Sequence, residues 1–221
     1  PTMSHNLFAK HVVPEIKNDD TPVFFMVIDN LRYDQWKTLR SILVQDYWIE
    51  EEDAFYSILP TTTQYSRNAI FAGMMPSEIE RRYPDKWVND EDEGGRNLSE
   101  KFYIGEQLKR NGLDIKFSYN KVLNESYGNK VLRELPGMFN NPLNVIVYNF
   151  VDMLSHARTD IQIIKELASD ESAYRSVVKS WFEHSSLLSI FKEIAARGGK
   201  VVIATDHGSI RVKEPSKIVG N

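Results

Sequence analysis

The chain contains no cysteine. That excludes disulfides, thiolate zinc sites and thiol nucleophiles, and it leaves nitrogen and oxygen as the only donors available to a metal ion. It is also compatible with a cytoplasmic protein, the location expected here. Long apolar runs are missing too: the longest, such as residues 23–28, fall far short of the roughly 20 residues that cross a bilayer. The first residues carry no signal-peptide pattern, so no membrane insertion is expected. An excess of positive charge is absent as well. Lys and Arg number 27 against 31 Asp and Glu, a net charge of −4, so no overall field draws the protein to nucleic acid or an anionic surface. Any recognition of phosphate has to be local.

What is present is a recurring pattern of an apolar run ending in an acid. Asp29 follows Val23-Phe-Phe-Met-Val-Ile28, Asp152 follows the run 145–151, and Asp206 follows Val201-Val-Ile-Ala-Thr205. Two of these acids have a histidine close by, in Asp152-Met-Leu-Ser-His156 and Asp206-His207-Gly208. Strands alternating with helical periodicity argue for an α/β fold with a mainly parallel sheet flanked by helices on both faces. In such sheets ligands bind beyond the carboxyl ends of the strands, where these acids would converge.

The polar stretch 1–22, broken by Pro14, Asn18-Asp-Asp20 and Pro22, reads as a linker or the tail of an upstream region, with the domain proper over 23–221. Apolar spacing near 3.6 over 31–48 predicts a helix after the first strand. A short strand is expected at 54–59, helices at 62–72 and 99–111, and strands at 115–119 and 143–151. The intervening 120–141 reads as polar loop. Two helical stretches, 159–168 and 171–197, then lead into a strand at Lys200. Residues 81–97 depart in composition, with aromatics, an acid run and two glycines, and read as a small inserted lid.

The spacing of Asp152 and His156 puts both side chains on one helical face, within reach of one ion. Asp206-His207-Gly208 suits a tight turn that presents carboxylate and imidazole together. Asp29 adds a further carboxylate. Mixed carboxylate and imidazole donors favour zinc, manganese or iron over magnesium, and five such ligands exceed what one tetrahedral ion requires. Two ions about 4 Å apart would use them, in the arrangement that stabilises attacking and leaving oxygens in phosphoryl transfer. Pro60-Thr61-Thr62-Thr63-Gln64-Tyr65-Ser66-Arg67 places hydroxyls where a strand hands over to a helix, whose N-terminal N–H groups bind anions. One threonine there serves equally as a helix cap. Arg67 and Arg32 are candidates to grip phosphate oxygens, or are surface charges.

In this order the motifs resemble the alkaline phosphatase superfamily and, within it, the PglZ domain. Residues 60–73 are similar to the P-T-x-T segment ending in glycine of nucleotide pyrophosphatase/phosphodiesterases, which maps the nucleophile onto Thr63. Asp152-x-x-x-His156 is similar to D-x-x-G-H with Ser155 in place of glycine, and Thr205-Asp206-His207-Gly208 to S/T-D-H-G. The resemblance implies one zinc ion held by Asp29, Thr63, Asp206 and His207, and a second begun by Asp152 and His156. The family's further histidine has no counterpart after His207.

The wording at 27–36, 59–67 and 148–156 is similar to PorX-type response regulators, which join a receiver domain to a PglZ effector in bacteria with type IX secretion. That resemblance implies an effector fragment cut at both ends, with the domain truncated at its C-terminus. It further implies a receiver domain and a cognate histidine kinase as partners, homodimerisation, and a phosphodiesterase acting on nucleotides or oligonucleotides. The rival expectation is a regulatory interaction or dimerisation domain whose metal site is structural or degenerate. A third is an α/β domain with acids at strand ends by chance.

Overall fold

The computed structural model describes residues 1–88, 98–210, 212 and 214. Four strands, β1 (Val23–Ile28), β2 (Phe117–Val122), β3 (Leu143–Tyr148) and β4 (Lys200–Ala204), form a parallel sheet in the order β2-β3-β1-β4. Every residue of β1 and β3 is buried, whereas most of β2 and all of β4 are half-buried. Central strands covered on both faces need continuous apolar runs, and the runs at 23–28 and 143–148 supply them. Register aligns Ile28 with Tyr148 and Tyr148 with Val122, so three strands end level with one another. Asp29 leaves β1 at that level.

The pleat sends alternate residues to opposite layers. Phe24, Met26, Ile28, Ile146 and Tyr148 pack against α3 (Tyr33–Leu43), α7 (Glu125–Met138), α8 (Phe150–Asp160), α10 (Glu171–His184) and α11 (Ser186–Ala196) through residues such as Leu39, Val131, Leu154, Phe182 and Ile190. Phe25, Val27, Val145 and Val147 pack against α4 (Thr63–Ala72), α5 (Pro76–Arg82) and α6 (Glu100–Arg110) through Ile70, Phe71, Ile79, Tyr103 and Leu108. The α/β architecture with helices on both faces is therefore the observed one. Between α8 and α10 lies α9 (Gln162–Leu167), which buries no residue. No helix among the described residues is long and apolar enough to cross a membrane.

Four expectations need correction. Residues 1–22 do not behave as a linker: α1 (Ser4–Leu7), a π-helical turn Phe8–Val12 and α2 (Val13–Asn18) run through them. Leu7, Phe8, Val12 and Val13 are buried in the same layer as Phe25, and the Phe8 and Phe25 rings meet at 5.5 Å. Burying each such side chain stabilises the fold by about 1.5–3 kcal/mol. Pro14 falls in the first turn of α2, directly after the π-helical turn. The strand expected at 54–59 is absent; Tyr56 makes only an isolated bridge to Met3. The loop expected over 120–141 is mostly α7, capped by Asn124, whose Oδ1 accepts from the Tyr127 N–H. The helical run 171–197 breaks at Ser185, which caps α11. The expected lid falls largely on 89–97, outside the described residues. Its leading flank is anchored, with Trp87 buried against Tyr65 and the Gln64 amide bonded to the Val88 carbonyl.

Candidate metal centre

Asp29, Asp206 and His207 come together beyond the ends of β1 and β4. One ligand atom from each lies within 4.8 Å of the others. Alternation explains the approach: Val27 on β1 and Val202 and Ala204 on β4 lie on the side of the sheet that faces α4, and Asp29 and Asp206, each two residues past the last of these, continue it. Asn30 turns the chain with φ 60°, a conformation Asn tolerates better than other non-glycine residues. Its N–H donates to Asp206 Oδ1 at 3.2 Å, and the His207 N–H donates to the same oxygen at 2.9 Å. The Leu31 N–H donates to Thr205 Oγ1 at 3.0 Å, stitching the two strand exits together.

Thr63 enters from the first turn of α4, with Thr62 in the capping position. Its Oγ1 lies 2.9 Å from His207 Nε2 and 3.3 Å from Asp29 Oδ1. The far end of α4 is fixed by Gly73, which adopts φ 61° where a Cβ would run into the Gln107 side chain. Thus the hydroxyl, the imidazole and two carboxylates share one small volume at a helix N-terminus, whose N–H groups favour anions.

Asp152 stands beside this group rather than in it. It occupies the first turn of α8, just past β3, and its Oδ1 accepts from Asn30 Nδ2 at 3.2 Å. Burial, followed by the charge of Asp29, pushes its carboxyl above the ordinary range. His156 lies one turn on, 3.5 Å from Asp152, with 75 % of its side chain exposed.

Neither arginine has the placement expected of a phosphate clamp. Arg67 is 1 % exposed and lies behind the acids: Nη1 is 2.7 Å from Asp29 Oδ2 and 3.4 Å from Asp206 Oδ2, and Nε is 2.5 Å from Glu100 Oε1. Burial opposes its charge, but Glu100, Asp206 and Asp29 outweigh that and hold it protonated. Arg32 is engaged with Asp34 and Glu171 at 2.8 and 2.5 Å. Sequence reasoning overlooked Glu100, Asn30, Tyr119 and Lys121. Glu100 opens α6 and reads as an ordinary dipole-complementing acid; only the fold reveals it as buried, bonded through Oε2 to the Tyr119 hydroxyl and 3.6 Å from Lys121.

These residues fit a divalent cation. Asp29, Asp206 and Glu100 are three buried carboxylates facing one buried guanidinium, with Lys121 partly buried at the edge. Burial and the neighbouring Asp29 charge push the Asp206 carboxyl well above the usual range, the response of a group that lacks enough nearby positive charge. Asn30 Oδ1, also buried, makes no hydrogen bond, and such orphaned oxygens call for a water or an ion. The donors are oxygen and imidazole nitrogen, compatible with zinc, manganese or iron.

With this geometry, residues 7–221 match the family model described as the BREX system PglZ alkaline phosphatase-like domain. The chain belongs to this family. No curated protein matches it. As a PglZ domain it is of hydrolase-like type, and the strand-end cluster of Asp29, Asp206 and His207 stands where a parallel sheet offers a ligand site.

Proposed function

We propose that this PglZ domain is a zinc-dependent phosphodiesterase or phosphatase acting on nucleotides or oligonucleotides, with Thr63 as nucleophile. The observation that carries the reading is the position of Thr63 Oγ1, at the start of α4 and within hydrogen-bond reach of His207 Nε2 and Asp29 Oδ1. Asp29, Thr63, Asp206 and His207 would hold one ion, and Asp152 with His156 would begin the site of another. When bound, zinc supplies positive charge that favours the deprotonated threonine hydroxyl and offsets charge on the phosphoryl oxygens. Asp29 and His207 orient Oγ1. Its proton passes to solvent as the Oγ1–phosphorus bond forms and the bond from phosphorus to the ester oxygen breaks. The departing oxygen takes a proton from water, and a second water then hydrolyses the phosphothreonine. The N–H groups of the first turn of α4 favour the phosphoryl oxygens electrostatically. Arg67 and Arg32, being held by carboxylates, have no assigned contact with substrate.

The cellular setting we propose is that of a cytoplasmic effector domain in a two-component response regulator, coupled to a receiver domain and a cognate histidine kinase and linked to control of type IX secretion. The sequence wording at 27–36, 59–67 and 148–156 supports it. Homodimerisation would then carry the signal. A second reading, a regulatory interaction domain with a degenerate metal site, is favoured by the exposure of His156.

The test is hydrolysis of bis(p-nitrophenyl) phosphate by zinc-loaded wild-type protein and Thr63→Ala. Loss of about a thousandfold or more in rate is expected on removing a nucleophile, with zinc content retained. Hydrolysis that survives the substitution would remove Thr63 from the role. No hydrolysis by the wild type, with zinc bound, would favour the regulatory reading.

A further inference from the structure

We infer that Arg67, Glu100 and Tyr119 form a positioning device that sets the orientation and charge of the metal-binding carboxylates from behind. The inference rests on the proposal that Asp29 and Asp206 hold an ion.

Arg67 divides its guanidinium between two directions. Nη1 reaches the Oδ2 atoms of Asp29 and Asp206, at 2.7 and 3.4 Å, while Nε reaches Glu100 Oε1 at 2.5 Å. Holding Asp29 by Oδ2 leaves Oδ1 turned to Thr63 and His207, at 3.3 and 3.5 Å. Asp206 is held in the complementary way, with Oδ1 fixed by two backbone N–H groups and Oδ2 facing Arg67. Rotation of either carboxylate would break one of these contacts. The arrangement therefore selects Oδ1 as the oxygen that Asp29 presents, and fixes the plane of the Asp206 carboxylate.

Glu100 decides how strongly Arg67 acts. A guanidinium beside two metal-binding carboxylates repels a cation and competes for their oxygens. Glu100, 1 % exposed, draws part of that charge away. Its other oxygen, Oε2, accepts from the Tyr119 hydroxyl, and Lys121 stands 3.6 Å off. Tyr119 is itself wedged by edge-on contact with Phe71, 6.3 Å between ring centres. A chain of buried polar contacts thus runs from β2 at the edge of the sheet, through α6 and α4, to the acids beyond β1 and β4. Groups that hold metal ligands from outside characteristically change metal affinity when altered.

The experiment measures zinc affinity of the 221-residue chain by competition with a chromophoric chelator, alongside unfolding of the zinc-free and zinc-loaded forms. Glu100→Gln keeps shape and removes charge, and about tenfold or greater weakening of zinc binding is expected. Tyr119→Phe keeps the ring and removes only its hydroxyl; a smaller weakening, about threefold, is expected from losing one contact two steps from the ion. A purely structural role would lower the unfolding midpoint of both forms alike and leave affinity unchanged. Affinity within about twofold of wild type in both variants, less than any typical effect of a supporting residue, would overturn the inference. Should Glu100→Gln not fold, Tyr119→Phe decides alone. Absence of saturable zinc binding by the wild type would instead overturn the metal reading itself, and the inference with it.

Discussion

The two halves of the candidate centre are built differently. Asp29, Asp206, Thr63 and His207 converge from β1, β4 and α4 and are braced by Arg67, Glu100 and the Asn30 N–H. Asp152 and His156 belong to one helix, α8, and are tied to the rest chiefly by the single bond from Asn30. Asp29 and Asp206, and the Arg67 and Glu100 that brace them, are at most 1 % exposed, whereas the His156 side chain is 75 % exposed. Buried charge must be compensated and geometrically fixed or it destabilises the fold. The first half is therefore pre-organised by the same interactions that make it costly, and the second is free to adjust.

The largest effect that tests this contrast is on stability. Arg67→Met strands three buried acids, and removing one partner of such a group costs about 3–5 kcal/mol. His156→Ala removes an exposed group and should stay within about 0.5 kcal/mol. Urea unfolding of the zinc-free proteins measures both. Equal effects would mean that the two halves are not differently built.

Metal binding sharpens the contrast next. A ligand bound only by the folded state stabilises it by about 2.7 kcal/mol at a hundred times its dissociation constant. Asp206→Asn should abolish that gain, since Asp206 belongs to the braced cluster. If Asp152 and His156 hold a second ion as proposed, His156→Ala should keep most of the gain while lowering the zinc bound per chain by one ion. Thermal unfolding with and without zinc, together with elemental analysis, separates the outcomes. A zinc response unchanged in Asp206→Asn would place the ion elsewhere.

How much of this was legible in the sequence follows from the range of the contacts. The acids Asp29 and Asp206 could be found because each directly follows a run that reads as a buried strand, and parallel topology brings such ends together. Asp152 and His156 could be paired because four residues span one helical turn. Arg67 was noticed as a candidate phosphate grip or surface charge: its position one turn after Thr63 is readable, yet its burial against Glu100, 33 residues away, is a tertiary fact. The same holds for the N-terminal helices. Leu7, Phe8, Val12 and Val13 sit in a stretch that reads as polar and broken by Pro14 and Pro22, and what makes them core is Phe25 beneath them, a contact between distant parts of the chain. Local punctuation marks where a helix turns or starts, and only packing says whether it belongs to the core.

The smallest effect concerns how α8 is fastened at its far end. Arg158 lies 3.0 Å from Glu171, which also meets Arg32; Arg32 in turn meets Asp34, and Asp34 meets Arg175 at 3.0 Å. Arg32 and Arg158 both stand against the Tyr174 ring, at 5.3 and 4.5 Å. Burial raises the carboxyls of Asp34 and Glu171, but the arginines outweigh it and hold both below their ordinary values of 3.8 and 4.5. A depressed carboxylate contributes stability above its unfolded value and loses it as pH falls through the folded one. The contribution should accordingly be intact at neutral pH and begin to fade below about pH 4.5. It should be modest, a few tenths of a kcal/mol per pair, because both acids are more than a third exposed. Hydrogen exchange followed from neutral pH to below 4, corrected for the intrinsic rate, should show α8 losing protection before β1 and β3. Simultaneous loss across the sheet and α8 would mean that the arginine cluster does not fasten the helix that carries Asp152 and His156.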